Sequence, residues 1–238
     1  PGASSGSDPM GAVQGAGATV AIVAPVLHRP HRIAQLLDDI DKGTPVGKWR
    51  LVVVVDNDDE HSIEAAAAAG VEWVADWRHT PTYASKINLG AEVTCEPWLF
   101  TAADDLHFHR GWLTAALDVA GNTGAKVIGT NDLVNHAVIA GQHSTHTLVA
   151  RDYIDDPGAC VDGPGTVMHA GYRHEYCDDE LVGTAKARGV WAPAKHSIVE
   201  HRHWSTKARP RDIVDAIVRA SRAESRATFE ARRHLWAA

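Results

Sequence analysis

The stretch WLFTAADDLHFHRGWL, Trp98 to Leu113, decides how this chain folds and what chemistry it can carry. Its apolar first part, Trp98 to Ala103, reads as a strand buried on both faces. It ends on two adjacent aspartates, Asp104 and Asp105, followed at once by His107, His109 and Arg110. Two carboxylates at about 4 Å repel by roughly 4 kcal/mol at an effective dielectric near 20. Protonating one of them, a salt bridge or a bound cation relieves that repulsion. Hard divalent ions such as Mn2+ or Mg2+ take oxygen ligands and keep phosphate or water as the others. The pair therefore reads as a grip for a metal–diphosphate, or else as Asp104 capping the next helix with Asp105 in solvent.

Outward from this stretch, apolar runs alternate with helical patterns over residues 19–130. TVAIVAPV (Thr19–Val26), LVVVV (Leu51–Val55), VEWVA, PWLFTAA and KVIGT read as strands. Between them, Pro30 suits a first helical turn, and Ile33, Leu36, Leu37 and Ile40 recur at helical spacing up to Gly43. EHSIEAAAAAG, TYASKINLGAEVT and RGWLTAALDVAG read as the next helices, the second weakened by Gly90. Such alternation predicts an α/β fold with a mostly parallel central sheet and helices on both faces. Ligands bind outside the carboxyl ends of such strands. Val26 to His28, Asp56 to Asp58 and Asp104–Asp105 then share one rim. A carboxylate at Asp56 can accept from a base or a ribose, or can cap a helix in competition with Asp58 or Ser62.

Beyond residue 131 the pattern loosens. THTLVA is a candidate strand, and VWAPA and SIVEHRHW are two short ones. DDPGACVDGPGTVMHAG (155–171) reads as a long, mobile loop able to close over a ligand. DDELVGTAKARG is helical, and from Arg211 a terminal helix places Ile213, Val214, Ile217 and Val218 on one face and arginines on the other. His201 and His203, two apart, share a side of a strand and are candidate ligands for Mn2+. The leading PGASSGSDPM reads as a tag remnant before a native Met10.

Composition narrows the function. A formal net charge of -7 argues against general affinity for nucleic acid or anionic membrane. No apolar run is long enough to cross a bilayer. The three cysteines form no C-x-x-C pair, which suggests a reducing compartment. A bacterial cytoplasm, or that of a phage-infected cell, is the expected setting. The glycines of GAVQGAG precede the first strand, whereas a dinucleotide fingerprint needs them after it.

TVAIVAPVLHRPHRI, LVVVVDNDDE, YASKINLGAE and PWLFTAADDLHFHRGWL, in that order, resemble the nucleotide-binding half of GT-A glycosyltransferases, most of all the family 2 type. The resemblance covers about residues 19–115 and extends more weakly to EYCDDEL and VEHRHW. It implies a GT-A fold, with residues 19–130 as nucleotide-binding half, 131–210 as acceptor half and 211–238 as a helical extension. It implies that Pro25 and Arg29 border the nucleotide and that Asp56 contacts base or ribose. Lys86 and Asn88 would lie near the diphosphate or sugar, Asp105 would hold Mn2+ or Mg2+, and Asp104 would support the sugar or the metal shell. Ala103 departs from the family at the first position of its D-x-D motif. Asp178, with Asp179 as alternate, would be the general base of an inverting transfer. Acids in a first helical turn also favour the helix dipole without any catalytic duty. The implied donor is a UDP-sugar first and a GDP-sugar second. A protein, a glycan or a modified DNA base stand open as acceptors. The rival readings are a metal-dependent phosphoesterase or nucleotidyltransferase, and a decayed sugar-nucleotide-binding module.

Overall fold

Residues Leu51 to Val55 are all buried, alternate ones facing opposite layers. This is the signature of a strand sandwiched between helices. The computed structural model describes residues 17–78 and 80–236. It builds the first half from β1 (Val20–Pro25), α1 (Pro30–Gly43), β2 (Trp49–Asp56), α2 (Glu60–Ala68), β3 (Glu72–Asp76), α3 (Tyr83–Glu92) and β4 (Trp98–Thr101). The second half adds β5 (Leu106–Phe108), α4 (Trp112–Thr123), β6 (Val127–Asn131), α5 (His136–Ile139), β7 (Thr147–Ala150), α6 (Arg151–Asp155), α7 (Cys177–Ala187), β8 (Trp191–His201) and α8 (Ile213–Arg232). The PGASSGSDPM segment lies outside the described residues.

The sheet runs in the order β3-β2-β1-β4-β7-β6-β8-β5. β3, β2, β1 and β4 are mutually parallel, so Asp76, Asp56, Pro25 and Thr101 end at one rim. β7 runs antiparallel between β4 and β6, and β6 and β8 are again parallel. The fold is thus the expected α/β sheet, parallel from β3 to β4 and mixed beyond it. Val20, Ile22 and Ala24 of β1 join the layer of α1, α2 and α4, whereas Val23 faces α3, α6 and α7. Burying Ile33, Leu36 and Ile40 of α1 contributes roughly 1.5–3 kcal/mol each. Gly90, which weakened the reading of α3, lets that helix lie against β1: a Cβ there would collide with the Val23 side chain.

Four expectations need correction. VWAPA and SIVEHRHW form one continuous strand, β8, with a register irregularity opposite Gly129–Asn131. The strand stops at His201, and His203 instead caps a 3-10 turn at Trp204–Thr206. Segment 155–171 is no free flap: Ala159, Cys160, Val167 and Met168 are buried against α3 and α7. On α8, Val214 is buried but Ile213 and Ile217 are 67% and 44% exposed, so the apolar stripe does not dock as a core face. Its far end is tied down instead by Arg232, which donates to both oxygens of the fully buried Glu180. Among the described residues no helix is long and apolar enough to cross a membrane.

Candidate active site

Parallel strands ending at one rim, with loops diverging on either side, leave a crevice outside the sheet. Here it is a cleft of about 1620 Å3 between the tips of β1, β2 and β4 and the facing helices α7 and α8. Pro25, Arg29, Asp56, Lys86, Asp104 and Asp105 line it from the sheet side. Asp178, Asp179, His201 and His203 line it as well. Asn88 does not reach it. Its amide donates to Met168 O at 2.7 Å and accepts from Val167 N and Met168 N, so the side chain secures segment 155–171. No residue of 155–171 is among the described residues lining the cleft.

At the β2 tip, Lys86 Nζ lies 2.5 Å from Asp56 Oδ1 and donates to Val26 O at 3.1 Å. Lys86 is presented by the second turn of α3, whose start is fixed by a reciprocal Thr82–Ser85 capping box. Asp56 has no capping duty, because Asp59 caps α2 through Ser62 N and also accepts from His28 N. The pair leaves a carboxylate and an ammonium side by side at the cleft wall.

The aspartate pair is more elaborate. β4 ends at Thr101, Ala102 and Ala103 carry the chain into the cleft, and β5 resumes at Leu106. Asp104 and Asp105 are both buried. Arg29 Nη1 donates to Asp104 Oδ1 at 3.0 Å, and its Nε and Nη2 reach Asp212 and Asp215. Arg209 Nε donates to Asp105 Oδ2 at 3.0 Å, and both its terminal nitrogens grip Asp215. His201 Nε2 lies 3.2 Å from Asp105 Oδ1. Asp212 and Asp215 are themselves the capping box that starts α8.

Charge decides the behaviour of this cluster. Two guanidinium groups face four carboxylates. Burial and the neighbouring charge of Asp105 push Asp104 up to about 6 against the pull of Arg29. For Asp105, burial opposes ionisation, but the hydrogen bonds and charges of His201 and Arg209 overcome it and hold the carboxyl well below the usual range. Burial works against charge on His201 too, and the Asp105 contact outweighs it and raises its pKa. A carboxylate oxygen beside an imidazole nitrogen, in a cluster with surplus negative charge, fits Mn2+ well and Mg2+ less well.

Another wall carries the second acid pair. Asp178 and Asp179 stand in the first turn of α7, and His143 Nε2 lies 3.2 Å from Asp178 Oδ2. Burial alone would raise Asp178; the hydrogen bond and charge of His143 lower it instead. Burial and the charge of Asp178 push Asp179 up to about 6. An ionised acid beside one that gives up its proton near pH 6 is an arrangement suited to proton transfer near neutrality.

Sequence reasoning missed Arg209, Asp212, Asp215 and His143. Asp212-x-x-Asp215 has the spacing of a capping box, which was the one available signal. Arg209 and His143 sit in irregular segments where no periodicity marks them.

No protein-family model matches this chain, and no curated protein matches its sequence. Solved structures do match. The S. aureus TarS 1-349 structure in complex with UDP-GlcNAc aligns at TM-score 0.58 and 11% identity, over 76% of this chain and 57% of that one. The chain therefore spans little more than half of that protein's structure. The mannosyltransferase PcManGT from Pyrobaculum calidifontis, in complex with GDP-Man and Mn2+, aligns at 0.63 and 12% identity over 93% and 78%. Glucosyl-3-phosphoglycerate synthase from Mycobacterium tuberculosis, with Mn2+ and UDP-Glc, aligns at 0.57 and 16% identity over 88% and 79%. The parallel β3-β2-β1-β4 half, the acid-lined rim and these alignments together establish that the chain has the GT-A fold.

Proposed function

We propose that the chain is a glycosyltransferase that moves a sugar from a nucleotide-sugar donor to an acceptor hydroxyl by single displacement, with inversion. One observation carries this reading: a single cleft gathers the buried Asp104–Asp105 pair, the Asp56–Lys86 pair and the His143-held Asp178. Residues 19–130 hold the donor, 131–210 form the acceptor side, and 211–238 extend the fold as a helix. Pro25 and Arg29 border the nucleotide, Asp56 accepts from its base or ribose, and Lys86 faces the diphosphate. Asp105, His201 and His203 are the residues that would hold Mn2+ or Mg2+, with Asp104 supporting the sugar. When bound, the cation neutralises charge developing on the departing diphosphate.

Asp178 removes the proton of the acceptor hydroxyl as the new bond forms, and His143 keeps it oriented and ionised. Asp179 is the alternate base. The acceptor enters between α7 and α8, where Val182, Ile217 and Arg222 line the cleft. The exposed stripe of α8 then has a use as a binding wall. A UDP-sugar is the first donor to try and a GDP-sugar the second, matching the donors present in the similar structures.

The test is incubation with UDP- and GDP-sugars, Mn2+ and an acceptor panel, reading nucleoside diphosphate release and product anomer by NMR. A glycosylated product of inverted configuration is expected. Release of phosphate without glycosylation would identify a phosphoesterase instead, and a retained anomer would remove Asp178 as base. Ala103, with Arg209 seated on Asp105, favours a second reading, a binding module without turnover. In that case donor binds but Asp105→Asn leaves an already absent activity unchanged.

A further inference from the structure

The motif His107-Phe108-His109 follows the acid pair directly, yet neither histidine lines the donor cleft. β5 and β8 are antiparallel, and His107 stands opposite Glu200. Directly opposed residues on one face lie close enough for their side chains to meet. His109, two residues on, shares that face, while Leu106 and Phe108 enter the core. His109 Nε2 lies 3.6 Å from Glu200 Oε2, and the two imidazole rings meet edge to face at 5.0 Å. One donor atom from each of His107, His109 and Glu200 lies within 4.8 Å of the other two.

Two further observations point to a ligand. His107 Nδ1 lies 2.6 Å from Asp39 Oδ1 on α1. A ring nitrogen facing a carboxylate carries the hydrogen, so Nε2 keeps its lone pair; this is the outer carboxylate that orients metal-binding histidines. His109 Nε2 is buried and has no hydrogen-bond partner among the described residues, a cost that coordination would remove. Arg202 approaches Glu200 and Asp39 only at 3.7 and 4.0 Å, outside hydrogen-bond reach, so it displaces neither Glu200 from His109 nor Asp39 from His107.

We propose that His107, His109 and Glu200 form a second metal site, oriented by Asp39 and separate from the donor cleft. Two imidazoles and a carboxylate, with a water completing a tetrahedron, suit Zn2+, and Co2+ or Ni2+ in its place, rather than Mg2+. The ion ties β5 to β8, and α1 to both through Asp39. β5 begins one residue after Asp105, and Glu200 precedes His201, so the ion braces the two segments that carry the acid cluster. All three side chains are between 30% and 40% exposed, which gives an ion access from solvent. The proposal stands whether or not the chain transfers sugars.

The same ions could also visit His143, Asp178 and Asp179, or Asp105 with His201, so the test must separate the sites. The metal-stripped full chain is titrated with Co2+, following its visible d–d bands, and with Zn2+ by calorimetry. One tetrahedral Co2+ per chain is expected in the parent, in Asp105→Asn and in His143→Gln. It should vanish in His107→Gln/His109→Gln, and Asp39→Asn should weaken it by about 10–100-fold. Glu200→Gln serves if the double variant fails to fold, and it too should bind more weakly than the parent. Absence of the tetrahedral spectrum in the parent overturns the site. Equal Co2+ affinity in the parent and in either the double variant or Glu200→Gln does so as well.

Discussion

Arg29 is the residue on which the acid cluster depends most. Its guanidinium donates to Asp104, Asp212 and Asp215 from a side chain that is 8% exposed. Arg29→Ala would leave these acids facing one remaining arginine, at a cost of about 3–5 kcal/mol, or about 2–4 °C of melting temperature for each kcal/mol. Thermal denaturation by circular dichroism checks this, and an unchanged melting point would contradict it. Asp104 gives the pH dependence. Its folded pKa, about 6, lies above the ordinary 3.8. Such a group stabilises the fold fully below that ordinary value and loses the contribution as pH rises through 6. Asp104→Asn should therefore raise stability at pH 8 by on the order of 1–3 kcal/mol and change it little at pH 4. Across the cleft, Asp178→Asn should lower kcat by about 10²–10⁴-fold while leaving donor affinity intact. An unchanged kcat would pass the role to Asp179.

At the scale of elements, α8 is held by its first turn. Asp212 accepts from Asp215 N and Asp215 from Asp212 N, and both take arginines from elsewhere in the chain. Asp212→Ala should cost about 0.5–2 kcal/mol in helix start and speed amide exchange over the first turns of α8. Hydrogen exchange read residue by residue checks it. The elements that could be read from the sequence are those where period and punctuation agree, such as α1 between Pro30 and Gly43 or β2 with its run of four valines, Val52–Val55. β5 escaped because three residues are too few to show alternation. β8 was split because Pro193 and two exposed polar residues interrupt its apolar pattern. The stripe on α8 misled because helical spacing reveals a face without revealing what covers it. Within the cleft, Asp56, Asp104, Asp105 and Lys86 were legible from strand ends and motif order. Arg209 and His143 were not, since only tertiary packing brings irregular segments to an acid. Asn88 shows the converse: a residue placed by its motif lies elsewhere, spent on backbone amides.

For the whole molecule, topology does the positioning. Four parallel strands deliver their carboxyl ends to one rim, the antiparallel β7 carries the chain back, and β8 returns His201 to Asp105. The C-terminal segment then closes over the pair with Arg209. We propose that this rim binds a nucleotide-sugar together with a divalent cation through Asp105. Calorimetric titration of UDP- and GDP-sugars into the parent and Asp105→Asn, with and without Mn2+, addresses it directly. At least one donor should bind the parent, Mn2+ should tighten the binding, and Asp105→Asn should abolish the Mn2+ dependence. No binding by any donor, or binding indifferent to both Mn2+ and the substitution, would contradict it.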